Sequence, residues 1–251
     1  MKYPDNFINK VICGDCLEVM KEIPENSVDL VITSPPYNIG IQYDVWDDKM
    51  DWKDYYLWCE KWLKEILRIL KLDGRFCLNH YLSLGQSDNR HAPLMKLNET
   101  AEKIGFKHHT IAIWTDTTLI KRTAWGSWLS ASAPYVNSPY EGILILYKDS
   151  WKKLLEGKST IDKKMFMKAT SGIWNISPDR EKWTKANFPQ SLPVWCMNLL
   201  SYENDIILDP FNGSGTTTWV AKQLKRNYIG IEISPDYCKI AEQRLRQEIL
   251  L

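Results

Sequence analysis

The chain has 251 residues, 44% of them hydrophobic, with 32 Lys+Arg against 31 Asp+Glu for a formal net charge of +1. That length can bury a sizeable core in one large domain, or in one domain carrying an insertion. The near-neutral balance excludes a global basic field of the kind that marks nucleic-acid partners, and no apolar run approaches the roughly 18 residues of a membrane span.

In chain order, the opening Met1-Lys2-Tyr3-Pro4 has no apolar signal segment, so a cytoplasmic protein is expected. A strand is predicted over Asn9–Cys13 and a helix over Cys16–Ile23. Asp15 is placed as the helix N-cap, and Glu18 three residues on completes a capping-box pattern. The six scattered cysteines fit a reducing cytosol. Cys13-Gly14-Asp15-Cys16 has metal spacing but no second pair to complete a zinc site, so no metal is expected.

A strand over Val28–Ile32 runs into Thr33-Ser34-Pro35-Pro36-Tyr37-Asn38. Ile41–Asp54, with five aspartates among aromatic residues, reads as a loop. Apolar residues at Trp58, Trp62, Ile66 and Ile69 predict a helix over Tyr55–Leu70, stopped by Lys71-Leu72-Asp73-Gly74. A strand over Arg75–Asn79, a helix over Pro93–Ile104 and a strand over Thr110–Trp114 follow. From Thr115 to Asn187 periodicity fades, apart from a strand over Ile143–Tyr147. Order returns with a helix near Leu192–Leu200, a strand over Asp205–Leu208, the loop Asp209-Pro210-Phe211-Asn212-Gly213-Ser214-Gly215-Thr216 and a helix to Leu224. A strand over Tyr228–Ile233 then leads to a terminal helix that Ser234 caps and Pro235 opens. This alternation implies an α/β fold with a doubly wound, mostly parallel sheet.

Two segments carry the chemistry, and each opens where a strand ends, the usual ligand position in such sheets. Ser34-Pro35-Pro36 is stiff and extended, because a residue before proline avoids the helical region and proline has no N–H. The Ser34 hydroxyl and the Pro35 carbonyl can therefore accept hydrogen bonds from an amine, with Tyr37 as a stacking face. In the second segment a strand precedes the glycines and a helix follows, and Glu232 at the end of the next strand suits a ribose. Asp209 fits a cationic ligand better than a diphosphate.

These motifs resemble the amino-group DNA methyltransferases that use S-adenosylmethionine (AdoMet). Ser34-Pro35-Pro36-Tyr37 is similar to their catalytic motif, and Asp209-Pro210-Phe211-x-Gly213-Ser214-Gly215-Thr216 to their cofactor loop. Their order along the chain resembles the beta arrangement of that family. The resemblance implies a Rossmann-like fold and transfer of a methyl group from AdoMet to a base flipped from duplex DNA, leaving S-adenosyl-L-homocysteine (AdoHcy). It implies cofactor contacts from Asp15 and Cys16, from the glycine loop, from Glu232 and Ile233, and from Phe188 and Ser191. The family commonly reads His-Pro-Ala-x-Phe-Pro before that last pair, where this chain has Thr184-Lys185-Ala186-Asn187-Phe188-Pro189. Ser at position 34 resembles the cytosine-N4 members, whereas Asp or Asn there resembles adenine-N6. Adenine-N6, RNA or protein methylation and an inactive DNA-binding subunit stand as alternatives.

The implied organisation is a catalytic part over 1–114, a target-recognition insert over 115–187 and an AdoMet-binding part over 188–251. Between Asp116 and Lys185 twelve Lys/Arg face seven Asp/Glu, so phosphate contacts are expected from Lys121 and Arg122. They are also expected from the run Lys152, Lys153, Lys158, Lys163, Lys164 and Lys168. Ser127, Trp128 and Ser130 lie in a stretch suited to entering a groove. The family further implies a restriction endonuclease acting on the same site, and a homodimer is compatible with it.

Overall fold

The computed structural model describes residues 2–86, 89–115, 126–136, 138, 140–179 and 188–247. The strands are β1 (Lys10–Cys13), β2 (Val28–Thr33), β3 (Leu70–Tyr81), β4 (Leu84–Gln86), β5 (Asn89–His91), β6 (Lys107–Thr115), β7 (Tyr140–Tyr147), β8 (Ile173–Asn175), β9 (Ile206–Asp209) and β10 (Asn227–Glu232). The helices are α1 (Cys16–Lys21), α2 (Trp52–Ile69), α3 (Pro93–Ile104), α4 (Lys163–Ala169), α5 (Ser191–Leu200), α6 (Thr216–Gln223) and α7 (Pro235–Arg246). Eight strands form one sheet in the order β1-β10-β9-β2-β3-β7-β6-β8, and β4 pairs with β5 as a separate hairpin. β7 runs antiparallel to both its neighbours, and the remaining pairings in the large sheet are parallel.

β2 is buried along its whole length, the condition of a central parallel strand covered on both faces. Helix α2 buries Tyr55, Cys59, Trp62, Leu63, Ile66 and Ile69, a stripe at helical spacing. With α1 and α3 it covers one face, while α5 and α6 cover the other. From β2 the chain moves outward to β3, and from β9 it moves the opposite way to β10. The crevice between β2 and β9 is therefore the switch point at which such sheets hold ligands. Thr33 closes β2 and Asp209 closes β9, and the Thr33 hydroxyl donates to Asp209 Oδ1 at 2.6 Å. Burial pushes the Asp209 carboxyl up to about 6, and the hydrogen bonds from Thr33 and from the Phe211 N–H offset this only in part.

Several elements depart from the sequence reading. α2 starts at Trp52 because Asp51 accepts from the Lys53 N–H and caps it. At its other end the chain enters β3 directly at Leu70, where the sequence suggested a turn. Glu18 pairs with Lys21 at 2.8 Å, so Asp15 caps α1 through its own carboxylate. The stretch read as loop holds α4 and β8, which extends the large sheet from β6. Trp174 of β8 is fully buried and donates to the Ala169 carbonyl at 2.9 Å. A three-residue strand and a seven-residue helix are too short to show a period.

The lysine run is also divided by the fold. Residues 148–162 follow the C-terminal end of β7, which lies opposite the C-terminal ends of β2 and β9. There Lys153 sits between Asp29 at 3.4 Å and Asp205 at 3.2 Å with 8% of its side chain exposed. It is an internal counter-ion rather than a phosphate contact. Lys158 pairs with Glu203 at the same end of the sheet.

Lys153→Met should cost about 3 kcal/mol of stability, because it removes the cation paired with Asp205 and leaves Asp29 with Lys71 alone, and should leave DNA affinity unchanged. Chemical denaturation and a binding titration check both halves. For Asp209, the raised folded value means the native state holds this proton more tightly than the unfolded chain. Stability from this group is therefore full below pH 3.8 and is lost as pH rises to about 6. Asp209→Asn should gain on the wild type by about 3 kcal/mol across that window, and parallel stability profiles of the two would refute it.

Candidate active site

Two cavities open along the switch-point crevice. The first is lined by Asp15, Cys16, Pro210, Phe211, Gly213, Glu232 and Ile233 from the strand ends, and by Tyr43, Asp44, Val45 and Trp46 from the loop after Tyr37. Asp15 presents its carboxylate from the α1 N-terminus, with Oδ1 accepting from Leu17 N at 2.8 Å and Glu18 N at 3.3 Å. Glu232 accepts from Gly213 N at 2.7 Å and from Ser234 N at 2.8 Å. Burial raises its carboxyl above the ordinary range, and those backbone N–H groups counter part of the effect. Gly213 adopts φ +52°, and a Cβ there would meet nothing within 4 Å. Its backbone therefore faces open space that a ligand can fill.

The loop over this cavity is held by its own polar groups. Asn38, at φ +58°, exchanges two hydrogen bonds with the Met50 backbone, at 2.7 and 2.9 Å. Buried Asp48 accepts from the N–H groups of Asn38, Ile39 and Ile41. The loop is then fastened across the crevice, where Ser234 Oγ donates to Asp44 Oδ2 at 2.6 Å. Trp46 lies 4.9 Å from Trp58, and Trp58 lies 5.5 Å from Phe211, giving the cavity an aromatic wall. Three carboxylates line it, and among the described lining residues there is no Lys, Arg or His. Such a wall suits a ligand with cationic centres, hydroxyls and a flat ring, and repels a diphosphate.

The second cavity is lined by Ser34, Pro35, Tyr37, Asn79, Tyr81, Trp114, Glu141 and Phe188, among others. Ser34 and Tyr43 line both cavities. Ser34 Oγ donates to the Tyr37 hydroxyl at 2.8 Å, and that hydroxyl donates to Glu141 Oε2 at 2.8 Å. Asn79 Nδ2 donates to both oxygens, each at 2.7 Å. Burial, reinforced by the Glu141 carboxylate, pushes the Tyr37 phenol well above its ordinary value and keeps it protonated. The Tyr37 ring rests on His80 with centroids 4.3 Å apart. His80 is fully buried, and burial lowers it to about 3, so it is neutral. The Tyr55 hydroxyl donates to the Pro36 carbonyl at 2.8 Å and meets His80 Nε2 at 3.0 Å. The Pro36 carbonyl is thus occupied, whereas the Pro35 carbonyl has no hydrogen bond among the described residues.

The remaining expected contacts lie elsewhere. Asp209 is buried beneath the glycine loop and lines neither cavity, because its carboxylate serves Thr33 and the Phe211 N–H. Ser214 and Thr216 face buried Arg244 of α7, which donates to the Ser214 carbonyl at 2.9 Å and to Thr216 Oγ1 at 3.2 Å. Gly215 starts α6 at φ +81°, and a Cβ there would come within 2.8 Å of Ala241 Cβ. It serves close helix packing. Ser191 is exposed at the start of α5 and lines neither cavity, and Phe188 lines the second cavity rather than the first. Cys16 is a buried thiol that burial pushes far up, so it stays protonated. Sequence reasoning missed Glu141, Asn79, His80 and Tyr55. It read the acidic, aromatic stretch holding Tyr43–Trp46 as a loop and gave it no part in the site, although its aspartates and aromatic rings were the available signal.

Between β6 and β7 the chain leaves and re-enters the sheet at the end that holds the cavities. Lys121 and Arg122 lie outside the described residues. Ser127 Oγ donates to the Ser130 carbonyl and accepts from Ala133 N, and Ser130 Oγ meets Ser132 Oγ at 3.1 Å. Both hydroxyls therefore brace the turn. Trp128 is 64% exposed and Leu129 88% exposed. The β4–β5 hairpin reaches this loop through Arg90, whose guanidinium stacks 5.0 Å from the Tyr135 ring. No helix of the described residues is long and apolar enough to cross a membrane, and no three His, Cys, Asp or Glu among them group as metal ligands.

A family profile described as DNA methylase matches residues 28–243. Type II methyltransferase M.MjaVI of Methanocaldococcus jannaschii is 44% identical over 181 residues, covering 70% of this chain and 91% of that protein. TTHA0409 of Thermus thermophilus, a candidate DNA modification methylase solved with S-adenosyl-L-methionine, superposes with a TM-score of 0.75. It is 25% identical, over 94% of this chain and 92% of its own. The cytosine-N4-specific PvuII DNA methyltransferase shares the fold, with a TM-score of 0.72 and 22% identity over 96% of this chain and 87% of its own. With 216 consecutive positions from β2 to α7 inside that profile, the chain belongs to the DNA methylase family of N6/N4 methyltransferases.

Proposed function

We propose that this chain transfers the methyl group of AdoMet to the exocyclic N4 amine of a cytosine flipped out of duplex DNA at a specific sequence. The observation that carries the reading is Ser34, a residue that lines both cavities and so stands where a donor in the first meets an amine in the second. AdoMet supplies an electrophilic sulfonium methyl. Asp15 and Glu232 are placed for its adenosine hydroxyls and amine, Trp46, Trp58 and Phe211 for its ring, and the acidic wall for its positive charge. In the second cavity Ser34 Oγ, its own hydrogen directed at Tyr37, keeps lone pairs for the amine. The Pro35 carbonyl, which takes no hydrogen bond among the described residues, is a second acceptor. Two acceptors on one amine draw its lone pair out of ring conjugation and toward the methyl.

Holding both reactants in line is worth roughly 7–11 kcal/mol of barrier. Extruding the base costs a few kcal/mol, and stacking it on Tyr37 returns about 1–3 kcal/mol. Cytosine is favoured over adenine by Ser at position 34, the resemblance described above. We assign target recognition to the segment between β6 and β7, at the cavity end of the sheet, with exposed Trp128 in its described part. The same reading places the protein in the cytoplasm as the modification partner of an endonuclease that cuts the same site.

Sequencing the methylated bases in a host expressing this chain, with mass spectrometry of the digested DNA, should give N4-methylcytosine in one short sequence. N6-methyladenine would reverse the choice of base, and unmodified DNA would refute the function. Ser34→Ala should lower kcat by about 10²–10³-fold, the scale of losing one group that stabilises the transition state, with the AdoMet dissociation constant held within about twofold. Joint loss of turnover and AdoMet binding in that variant would show that the two cavities are misassigned.

A further inference from the structure

Methylating an exocyclic amine leaves its nitrogen positively charged and carrying one proton too many, so an acceptor has to receive that proton. The polar groups around Ser34 are ordered for this. The Tyr37 oxygen accepts from Ser34 Oγ and from Asn79 Nδ2, which fills its acceptor capacity and leaves its own hydrogen for Glu141 Oε2. Asn79 cannot be turned the other way, because a carboxylate only accepts and its Nδ2 also faces Glu141 Oε2 at 2.7 Å. Every donor in the chain Ser34–Tyr37–Glu141 therefore points from the junction of the cavities toward one carboxylate. The reversed strand β7 brings it there, with Glu141 in register with Tyr81 of β3 and Trp114 of β6.

We propose that Ser34, Tyr37 and Glu141 form a proton route, and that Glu141 is the terminal acceptor of the proton lost from the methylated amine. The inference rests on the amino-methylation reading above. As the amine N–H bond breaks, its proton passes to Ser34 Oγ, the Ser34 hydrogen passes to the Tyr37 oxygen, and the Tyr37 hydrogen passes to Glu141 Oε2. The products are a neutral methylated amine, two unchanged hydroxyl groups and a carboxylic acid, which returns its proton to solvent between turnovers. Tyr37 suits this part because a phenol held protonated both accepts and donates. Glu141 acts through Tyr37 and Ser34 and is a positioning and proton-accepting residue.

The test is single-turnover methyl transfer to a duplex bearing the sequence that wild-type protein methylates, together with equilibrium binding of AdoHcy and of that duplex. Glu141→Gln keeps a hydrogen-bond acceptor for Tyr37 without a basic group, and Tyr37→Phe keeps the stacking ring while cutting the route from within. Each should slow transfer by about 10²-fold, the lower end of general acid–base contributions, and the double variant should be no slower than the slower single one. Binding of AdoHcy and duplex should stay within about twofold of wild type, and formate should restore transfer in Glu141→Ala in proportion to its concentration. A Glu141→Gln rate within about threefold of wild type, multiplying effects in the double variant, or no response to formate would overturn the route. Failure of the wild type to methylate an amine would instead refute the function on which it rests.

Discussion

The hydrogen bond from Thr33 Oγ1 to Asp209 Oδ1, 2.6 Å long, ties together the ends of β2 and β9, residues 176 apart in the chain. The same Asp209 oxygen accepts from the Phe211 N–H at 3.0 Å and so sets the first step of the glycine loop. Ser34 follows Thr33, and Pro210 follows Asp209. One buried carboxylate thus fixes the spacing of the segment that faces the acceptor base and the segment that faces the methyl donor. Its charged form is costly in that position, since burial raises its carboxyl to about 6. The brace is buried because it has to lie between two central strands, where water is excluded.

Around this brace the two cavities differ in chemistry. The first has carboxylates and indole rings and no described cation on its wall, which suits a positively charged nucleoside. The second has hydroxyl, amide and carboxylate groups ordered into one hydrogen-bonded set. Neutral His80 and Tyr55 support it from below. Ser34 belongs to both. The loop tied down by Asp48 and by the Asp44–Ser234 hydrogen bond forms one wall of the first cavity.

The two ends of the sheet have separate tasks. At the end away from the cavities Asp29, Lys71, Lys153 and Asp205 form an internal charge cluster, and Arg75 donates to the Leu200 and Trp151 carbonyls. At the cavity end of the sheet the β4–β5 hairpin and the loop around Trp128 are joined by Arg90. Residues that looked alike as a basic run along the chain divide into internal counter-ions and surface groups once the direction of β7 is known.

The alternation of strands and helices, the caps Asp15 and Ser234, and both motifs were legible in the sequence, because each rests on neighbours within a few positions. Proline stiffness and hydrophobic period are local properties, so Ser34-Pro35-Pro36-Tyr37 and the glycine loop could be placed at strand ends without coordinates. The partners of those motifs were not legible. Glu141 comes from the strand that runs against the others, Arg244 from a helix 30 residues past Ser214, and the Tyr43–Trp46 wall from a loop with no period. Asp209, Ser214, Gly215 and Thr216 have the residue types of a ligand loop, yet burial assigns them to holding that loop in place. Sequence determined which segments carry chemistry, through local stiffness and pattern. Only the tertiary structure decided which atoms face the cavities, because that depends on strand direction and on which polar groups find partners inside the protein.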